Sequence, residues 1–189
     1  MSSDQALLFL LEWHEYYLLA GTAAATLLGL LFIAVTLNAD LILSGSRPHI
    51  KRVAEQAFQN YIAVLLMALF FMQPRQSGRV LASELLGLGG GMSLWSIYRI
   101  FQTLRVTDET FSRVRIWRRL LPSLVGYLTM VFAGWKMLHG FEDATVRLFS
   151  FATILLLISA TASSWDLLLR IAEIRHSSIG SGPAGGKTT

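Results

Sequence analysis

The fold is decided by an uncharged stretch at residues 16–37, which reads YYLLAGTAAATLLGLLFIAVTL. As a helix, these 22 residues span roughly 33 Å at 1.5 Å per residue, enough to cross the hydrocarbon core of a bilayer. An uncharged run of that length is typical of a transmembrane helix. We therefore predict a first membrane span over residues 16–37.

Four further apolar segments follow it. They cover residues 57–72, 80–98, 120–138 and 148–165, and the second is long enough only if its helix begins near Lys51. Pro122 is expected in the first turn of the fourth segment, where its missing N–H costs nothing. Because a lipid-exposed chain must satisfy its own backbone hydrogen bonds, segments of this length predict helices. The sequence thus predicts an all-α fold: one five-helix transmembrane bundle over residues 1–176, followed by a disordered tail over residues 177–189.

The composition of the whole chain agrees with a membrane protein. Of the 189 residues, 53% are hydrophobic and only 15% are charged, whereas a soluble domain is about a quarter charged. This excludes an ordinary soluble protein and a disordered chain. The absence of cysteine excludes disulfides, thiolate metal sites and cysteine nucleophiles.

The basic residues predict an orientation. Loops on one side of the five spans carry twelve of the sixteen Lys and Arg residues, and the other side carries four. Cytoplasmic loops are enriched in Lys and Arg, so we expect the N-terminus outside and the C-terminus, with its tail, in the cytoplasm. An aromatic belt is then expected at the outer interface (Trp13, Tyr16, Tyr17, Trp135) and at the inner one (Trp95, Tyr98, Trp117, Trp165).

The loop before the fourth span, residues 107–121, predicts a basic amphipathic helix that lies at the membrane interface. Phe111, Val114 and Trp117 recur at helical spacing. Arginines at the remaining positions are expected to contact anionic lipid head groups. These arginines are Arg113, Arg115, Arg118 and Arg119. They are embedded in apolar sequence, which argues against a nucleic-acid role.

Small residues recur four apart in three of the spans. They are Gly21, Ala25 and Gly29 in the first, Gly87 and Gly91 in the third, and Ser159 and Ser163 in the fifth. Such stripes let helix backbones approach closely in lipid. They predict helix packing, either within the chain or against another copy or partner.

A polar face is expected on the second helix, where Glu55 and Gln59 lie beside Gln56 and Asn60. Three other spans end with polar side chains at the same membrane face. Those side chains are Asn38, Arg99, Asp166 and Arg170. Together they could line an ion or solute vestibule or bind a partner. Alternatively, they form a solvated interface with an intrahelical Asp166–Arg170 pair.

Glu84 lies about one turn inside the outer end of the third span. A carboxylate at that depth must be protonated, paired or in contact with water. It is a candidate proton or cation site, and the alternative is that its side chain extends to the interface.

Histidine is the remaining candidate ligand. His14 and His139 are both expected at the outer interface, where they could hold a metal or a haem. Neither lies within a predicted span, and no metal-binding spacing is present, so no cofactor is predicted. No nucleophile–base set or pair of catalytic carboxylates is recognisable either, and we do not predict an enzyme.

Three short motifs resemble a family of small bacterial multi-span membrane proteins with no settled function. The motifs are residues 29–38 (GLLFIAVTLN), 52–55 (RVAE) and 82–86 (ASELL). The resemblance covers roughly the first half of the chain. It implies a bacterial inner membrane and supplies no catalytic residues.

Three classes of function remain open on the sequence. The first is a non-enzymatic scaffold, accessory subunit or regulator that associates with itself or with a membrane partner. The second is a protomer of a channel or transporter that uses Glu84 or the polar face at residues 55–60. The third is a redox subunit that uses His14 and His139.

Overall fold

The computed structural model describes residues 3–43, 48–74, 77–106, 110–139 and 143–180, with side chains at 13–40, 42, 50–74, 77–102, 121–139 and 144–176. Every secondary-structure element in these ranges is a helix. The helices are α1 (Ser3–Leu37), α2 (Ala39–Leu43), α3 (Pro48–Met72), α4 (Gly78–Val106), α5 (Thr110–His139) and α6 (Asp143–Gly180). The all-α prediction is confirmed.

Five of these helices are long and apolar enough to cross a membrane. In the described part of the chain, the candidate spans are Trp13–Leu37, Ile50–Met72, Gly78–Gln102, Leu121–His139 and Ala144–His176. They include the five predicted segments with little change. The second span begins at Ile50, as the length of a bilayer requires. The chain therefore has the helices of a multi-pass membrane protein.

The basic segment before the fourth span does not form a helix of its own. It is the N-terminal part of α5, which continues from Thr110 to His139 without a break. Pro122 consequently lies well inside α5 rather than in a first turn. Its missing N–H leaves the carbonyl of Arg118 without its usual helical donor, a loss that membrane helices tolerate. The side chains of Arg113, Arg115, Arg118 and Arg119 lie outside the described residues.

Both ends of the chain extend their helices further than predicted. α1 begins at Ser3, so the apolar residues before Trp13 continue into the first span. α6 ends at Gly180, four residues into the segment expected to be a disordered tail. Residues 181–189 lie outside the described part of the chain.

The helices pack in a definite order. α3 and α6 pack on each other at the centre, α1 packs on α3, α5 packs on α6, and α4 packs on α5 with a smaller contact to α3. α1 and α4 therefore lie at the periphery. In each of them 22% of the most apolar 18-residue stretch is buried, against 56% in α3. Among the five candidate spans, α3, which carries the polar face at residues 55–60, is thus the most enclosed.

Aromatic residues show one departure from the predicted belt. Trp95, Trp135 and Trp165 are exposed near span ends. Tyr17, by contrast, is buried and stacks on Phe71, with ring centroids 3.9 Å apart and planes 4° apart. Its ring therefore belongs to the packing between α1 and α3 rather than to an interfacial belt.

Candidate functional site

A network of buried hydrogen bonds joins α3, α5 and α6 around Asn60, which is 1% exposed. The Asn60 amide nitrogen donates to Ser123 Oγ at 2.8 Å and to Ser159 Oγ at 3.2 Å. The Asn60 carbonyl oxygen accepts from Tyr127 OH at 2.7 Å. Both amide hydrogens and the carbonyl are thereby used.

Two further bonds complete this polar network. The hydroxyls of Ser123 and Ser159 are 2.7 Å apart, and Gln56 Nε2 donates to Ser123 Oγ at 3.3 Å. Hydrogen bonds between membrane helices stabilise by roughly 0.6 kcal/mol each, and up to about 1.7. Leaving one of these buried groups unpaired costs more, so the network fixes the relative positions of three helices.

The second polar pair of α3 faces α4 instead. Arg99 donates from Nη1 to Gln59 Oε1 at 3.2 Å and from Nη2 to Glu55 Oε2 at 3.0 Å. Nη2 also reaches the carbonyl of Arg52 at 3.3 Å, and Lys51 Nζ lies 3.9 Å from Glu55 Oε1. The Arg99 side chain is 17% exposed and that of Glu55 is 46% exposed. This ion-pair layer, formed by Glu55, Gln59 and Arg99, is therefore partly open to solvent.

A cavity of about 20 Å³ lies between the polar network and the ion-pair layer. It is bounded by α3, α4 and α5, where the contact between α3 and α4 is slight. Its lining residues are Gln56, Gln59, Asn60, Met92, Ser96, Arg99, Ser123 and Tyr127. A cavity of this size has room for one water molecule.

The opposite half of the bundle is mostly apolar, apart from the buried hydroxyls of Thr145 and Thr153. Beyond the polar network, fully buried apolar side chains of α3 to α6 fill the space between these helices. They include Val64, Met67, Leu85, Met130, Leu156 and Phe149. Within the described residues, the cavity therefore does not continue as a polar path to the other end.

Glu84 lies in this apolar half and far from the cavity. It is half-buried on α4, twelve residues before Ser96, which is about 18 Å along the helix at 1.5 Å per residue. The predicted candidates Glu84 and Glu55 consequently do not share one site.

Three other members of the predicted cluster make their described bonds within their own segments. Asn38 lies between α1 and α2, where its Nδ2 donates to the carbonyl of Ala34 at 2.8 Å. Asp166 Oδ2 accepts from Arg170 Nε at 2.9 Å, four residues along α6. The polar residues of α3 thus come together with Arg99 on α4 and with their partners on α5 and α6. The described bonds of Asn38 and of the Asp166–Arg170 pair are local.

His14 and His139 are exposed near the ends of their candidate spans. His139 Nδ1 lies 2.9 Å from the carbonyl oxygen of Trp135 in the same helix, and the two rings are 4.6 Å apart. His14 is exposed on α1. In the part of the chain that the structure describes, no group of three or more His, Asp or Glu residues is arranged to hold a metal ion.

The predicted small-residue stripes divide into inward and outward positions. A Cβ on Gly21 would lie 2.8 Å from Ala68 Cβ, so α1 and α3 approach closely there. Ser159 and Ser163 are also buried. Ala25 is exposed, as are three glycines beside which a Cβ would meet nothing within 4 Å. All three were predicted, like Ala25, as packing positions on α1 and α4. The outward positions are Ala25, Gly29, Gly87 and Gly91.

Sequence reasoning missed the residues of α5 that complete the network. Ser123 and Tyr127 are four apart and point to the same side of the helix, a spacing visible in the sequence. Gly126 and Gly134 were also missed, although an added Cβ would meet a neighbouring helix at 3.0 and 2.9 Å. Their contacts could not be read from spacing, because glycine is common in membrane helices.

Comparison with known proteins adds no relative. No protein-family model, no curated protein and no solved structure matches this chain. The function of this chain is therefore inferred from the geometry of the bundle and from its sequence.

Proposed function

We propose that the protein is a non-enzymatic component of a membrane, a scaffold, accessory subunit or regulator that associates with a second copy of itself through α4. The single observation that carries this proposal is the outward position of Gly87 and Gly91. Both are exposed, and nothing lies within 4 Å of a Cβ added to either. They form a flat row, one turn apart, on a peripheral helix.

The glycines that face inward support the same reading. Gly89 on α4 and Gly134 on α5 sit where those two helices meet within the chain. α4 thus has one glycine, Gly89, that packs within its own bundle and a row, Gly87 and Gly91, that its own bundle leaves uncovered. In lipid, small residues favour association by close van der Waals contact, since burial of apolar surface provides little driving force there.

The proposed setting is a bacterial inner membrane, with the N-terminus outside and the C-terminus in the cytoplasm. The distribution of basic residues supports this orientation, and the resemblance of residues 29–38 supports this membrane. In that orientation the cavity lies in the cytoplasmic half. Contact of the arginines at 113–119 with anionic head groups is part of the proposal.

A scaffold is favoured over a channel because of the apolar half of the bundle. Met67, Leu85 and Met130 occupy its interior, with no exposure to solvent. A channel requires a continuous hydrated route, which these side chains would interrupt. A redox role is supported less, since His139 bonds within its own helix.

The proposal is tested by the mass of the purified protein in lipid nanodiscs and by cross-linking in membranes. We expect a defined homo-oligomer, which Gly87→Leu with Gly91→Leu converts to monomer. The matched control is Ala162→Leu, which adds the same bulk at an exposed position of α6. A monomeric wild type, or an oligomer unchanged by the α4 substitutions, would contradict the proposal.

A further inference from the structure

The cavity between α3, α4 and α5 has the properties of a binding site for a small anion. We propose that it binds one monovalent anion of about the size of a water molecule, with chloride as the reference ligand. This site is separate from the α4 surface proposed for self-association. Three observations carry the inference: the cavity's size, its charge and the hydrogen-bond donors on its lining residues.

Size restricts the ligand first. The cavity measures about 20 Å³, slightly more than the roughly 10–15 Å³ that one water molecule needs. A halide ion is larger than water, but as a monatomic ion it is the anion nearest to this size. Sulfate and the phosphate of a lipid head group are larger still. The size of the cavity therefore favours a monatomic anion.

Charge selects an anion over a cation. Among the described residues that line the cavity, Arg99 is the charged one, and no carboxylate is present. The remaining polar lining consists of neutral amides and hydroxyls. A cation placed here would be repelled by the guanidinium, because the Glu55 carboxylate that pairs with it lies outside the cavity lining, whereas an anion would be attracted to it.

The hydrogen-bonding groups also favour an anion. Gln59 Oε1 accepts from Arg99, which leaves the NH2 group of Gln59 to donate. Ser96 is buried and lines the cavity. Tyr127 OH and the Asn60 amide are already directed at the polar network. The Ser96 hydroxyl and the Gln59 NH2 group are thus neutral donors on residues that line the same cavity as Arg99.

Glu55 gives the site a distinctive property. Its carboxylate pairs with Arg99 at 3.0 Å but is not part of the cavity lining, and it is 46% exposed. It therefore competes electrostatically with an anion in the cavity for the same guanidinium. If Arg99 serves only as a structural partner of Glu55, neutralising Glu55 would create no anion binding. If the cavity binds an anion, the same change would strengthen it.

The experiment uses the full chain in a nonionic detergent, with thermal unfolding followed by tryptophan fluorescence. Sodium gluconate is replaced stepwise by sodium chloride or sodium bromide at constant ionic strength. We expect a saturable rise in Tm, because a ligand that binds only the folded state stabilises it. Broadening of the 35Cl NMR line, reversed by bromide, is the independent measure of binding.

Four variants should each change chloride affinity in a stated direction or leave it unchanged. Arg99→Gln should abolish the saturable chloride effect, and Ser96→Ala should weaken the apparent affinity about threefold, as expected for one lost hydrogen bond. Glu55→Gln should strengthen the apparent affinity about tenfold, because it removes a unit negative charge a few ångströms from the anion. The matched control is Arg147→Gln, an exposed arginine near the other end of the bundle, which should leave chloride binding unchanged.

Several outcomes would overturn the proposal. They are the absence of a saturable halide effect in both the wild type and Glu55→Gln, an equal effect in Arg99→Gln, or an equal stabilisation by sodium sulfate. Displacement of chloride by added phosphatidylglycerol would assign the arginine to a lipid head group and would also overturn it. Selective binding of chloride and bromide that depends on Arg99 and rises in Glu55→Gln supports it. An unchanged oligomer in Arg99→Gln would separate this result from the role proposed for α4.

Discussion

The two halves of the bundle are held together by different forces, although the same helices pass through both. In one half, Asn60 connects α3, α5 and α6 through directed hydrogen bonds, and Arg99 connects α4 to α3. In the other half, Phe71 stacks on Tyr17 and meets Phe149 edge-on, with ring centroids 5.5 Å apart. In the first half the relative positions of the helices are fixed by the direction of hydrogen bonds. In the other half they are fixed by the shapes of the packed side chains.

This division has a consequence for adaptability. A hydrogen-bond network tolerates few arrangements, since each alternative leaves a polar group unpaired in a low dielectric. An apolar contact can repack when a side chain changes, at a cost set by the space left behind. The polar half is therefore the half suited to specific recognition, and the apolar half is suited to packing.

The largest effect is expected in the apolar half. Phe149 is fully buried between α6 and its neighbours, and Phe149→Ala should destabilise the fold by about 3–5 kcal/mol, through lost contacts and the cavity left behind. The measurement is reversible unfolding in mixed micelles by titration with dodecyl sulfate. Phe151→Ala, at an exposed position on the same helix, is the control and should cost far less. Equal losses in both variants would contradict the packing described.

The next effect concerns the centre of the polar half. Asn60→Leu removes three hydrogen bonds and leaves Tyr127, Ser123 and Ser159 without their amide partner. We expect a loss of about 2–4 kcal/mol in the same unfolding assay, because the orphaned groups stay buried. Gln59→Leu, which removes one hydrogen bond from a half-buried residue, should lose less than half as much. If Asn60→Leu were as stable as the wild type, the polar network would not hold these helices.

The five spans could be predicted from the sequence because hydropathy over a bilayer-length window depends on few details of packing. The polar face of α3 was also visible, since Glu55, Gln59, Gln56 and Asn60 recur at helical spacing. The division of this face between α4 on one side and α5 with α6 on the other was not visible. Which side of a helix meets α4 and which meets α5 depends on how the helices are rotated, and a single sequence does not specify that rotation.

The same limit explains the small-residue stripes. Spacing alone gives Gly21 and Gly29 equal weight, yet only Gly21 meets another helix in this chain. The missed α5 residues show the converse. Ser123 and Tyr127 lie in a mostly apolar segment after a proline, and their importance depends on Asn60 being opposite them.

Glycine substitutions in α1 test whether α1 approaches α3 closely at Gly21 and not at Gly29. Gly21→Ala places a Cβ 2.8 Å from Ala68 Cβ, a clash between two short side chains that requires α1 to move away from α3. We expect a loss of about 1–3 kcal/mol, as for overpacked cores. Gly29→Ala on the same helix meets nothing and should be neutral, or stabilising by up to about 1 kcal/mol through helix propensity. Similar results for the two variants would show that α1 does not pack as described.

The smallest effect is expected for an ion pair that belongs neither to the polar network nor to the apolar half of the bundle. Asp166 and Arg170 form a pair within α6, and both side chains are partly exposed, by 39% and 29%. Asp166→Asn should therefore change the unfolding free energy by only about 0.5 kcal/mol, since exposed pairs at this spacing are screened by water. Chloride affinity should be unchanged as well, because Asp166 does not line the cavity. A loss above roughly 2 kcal/mol, or a shift in chloride affinity, would mean that Asp166 is coupled to the polar half and that the polar residues of α3, α4 and α6 act as one cluster.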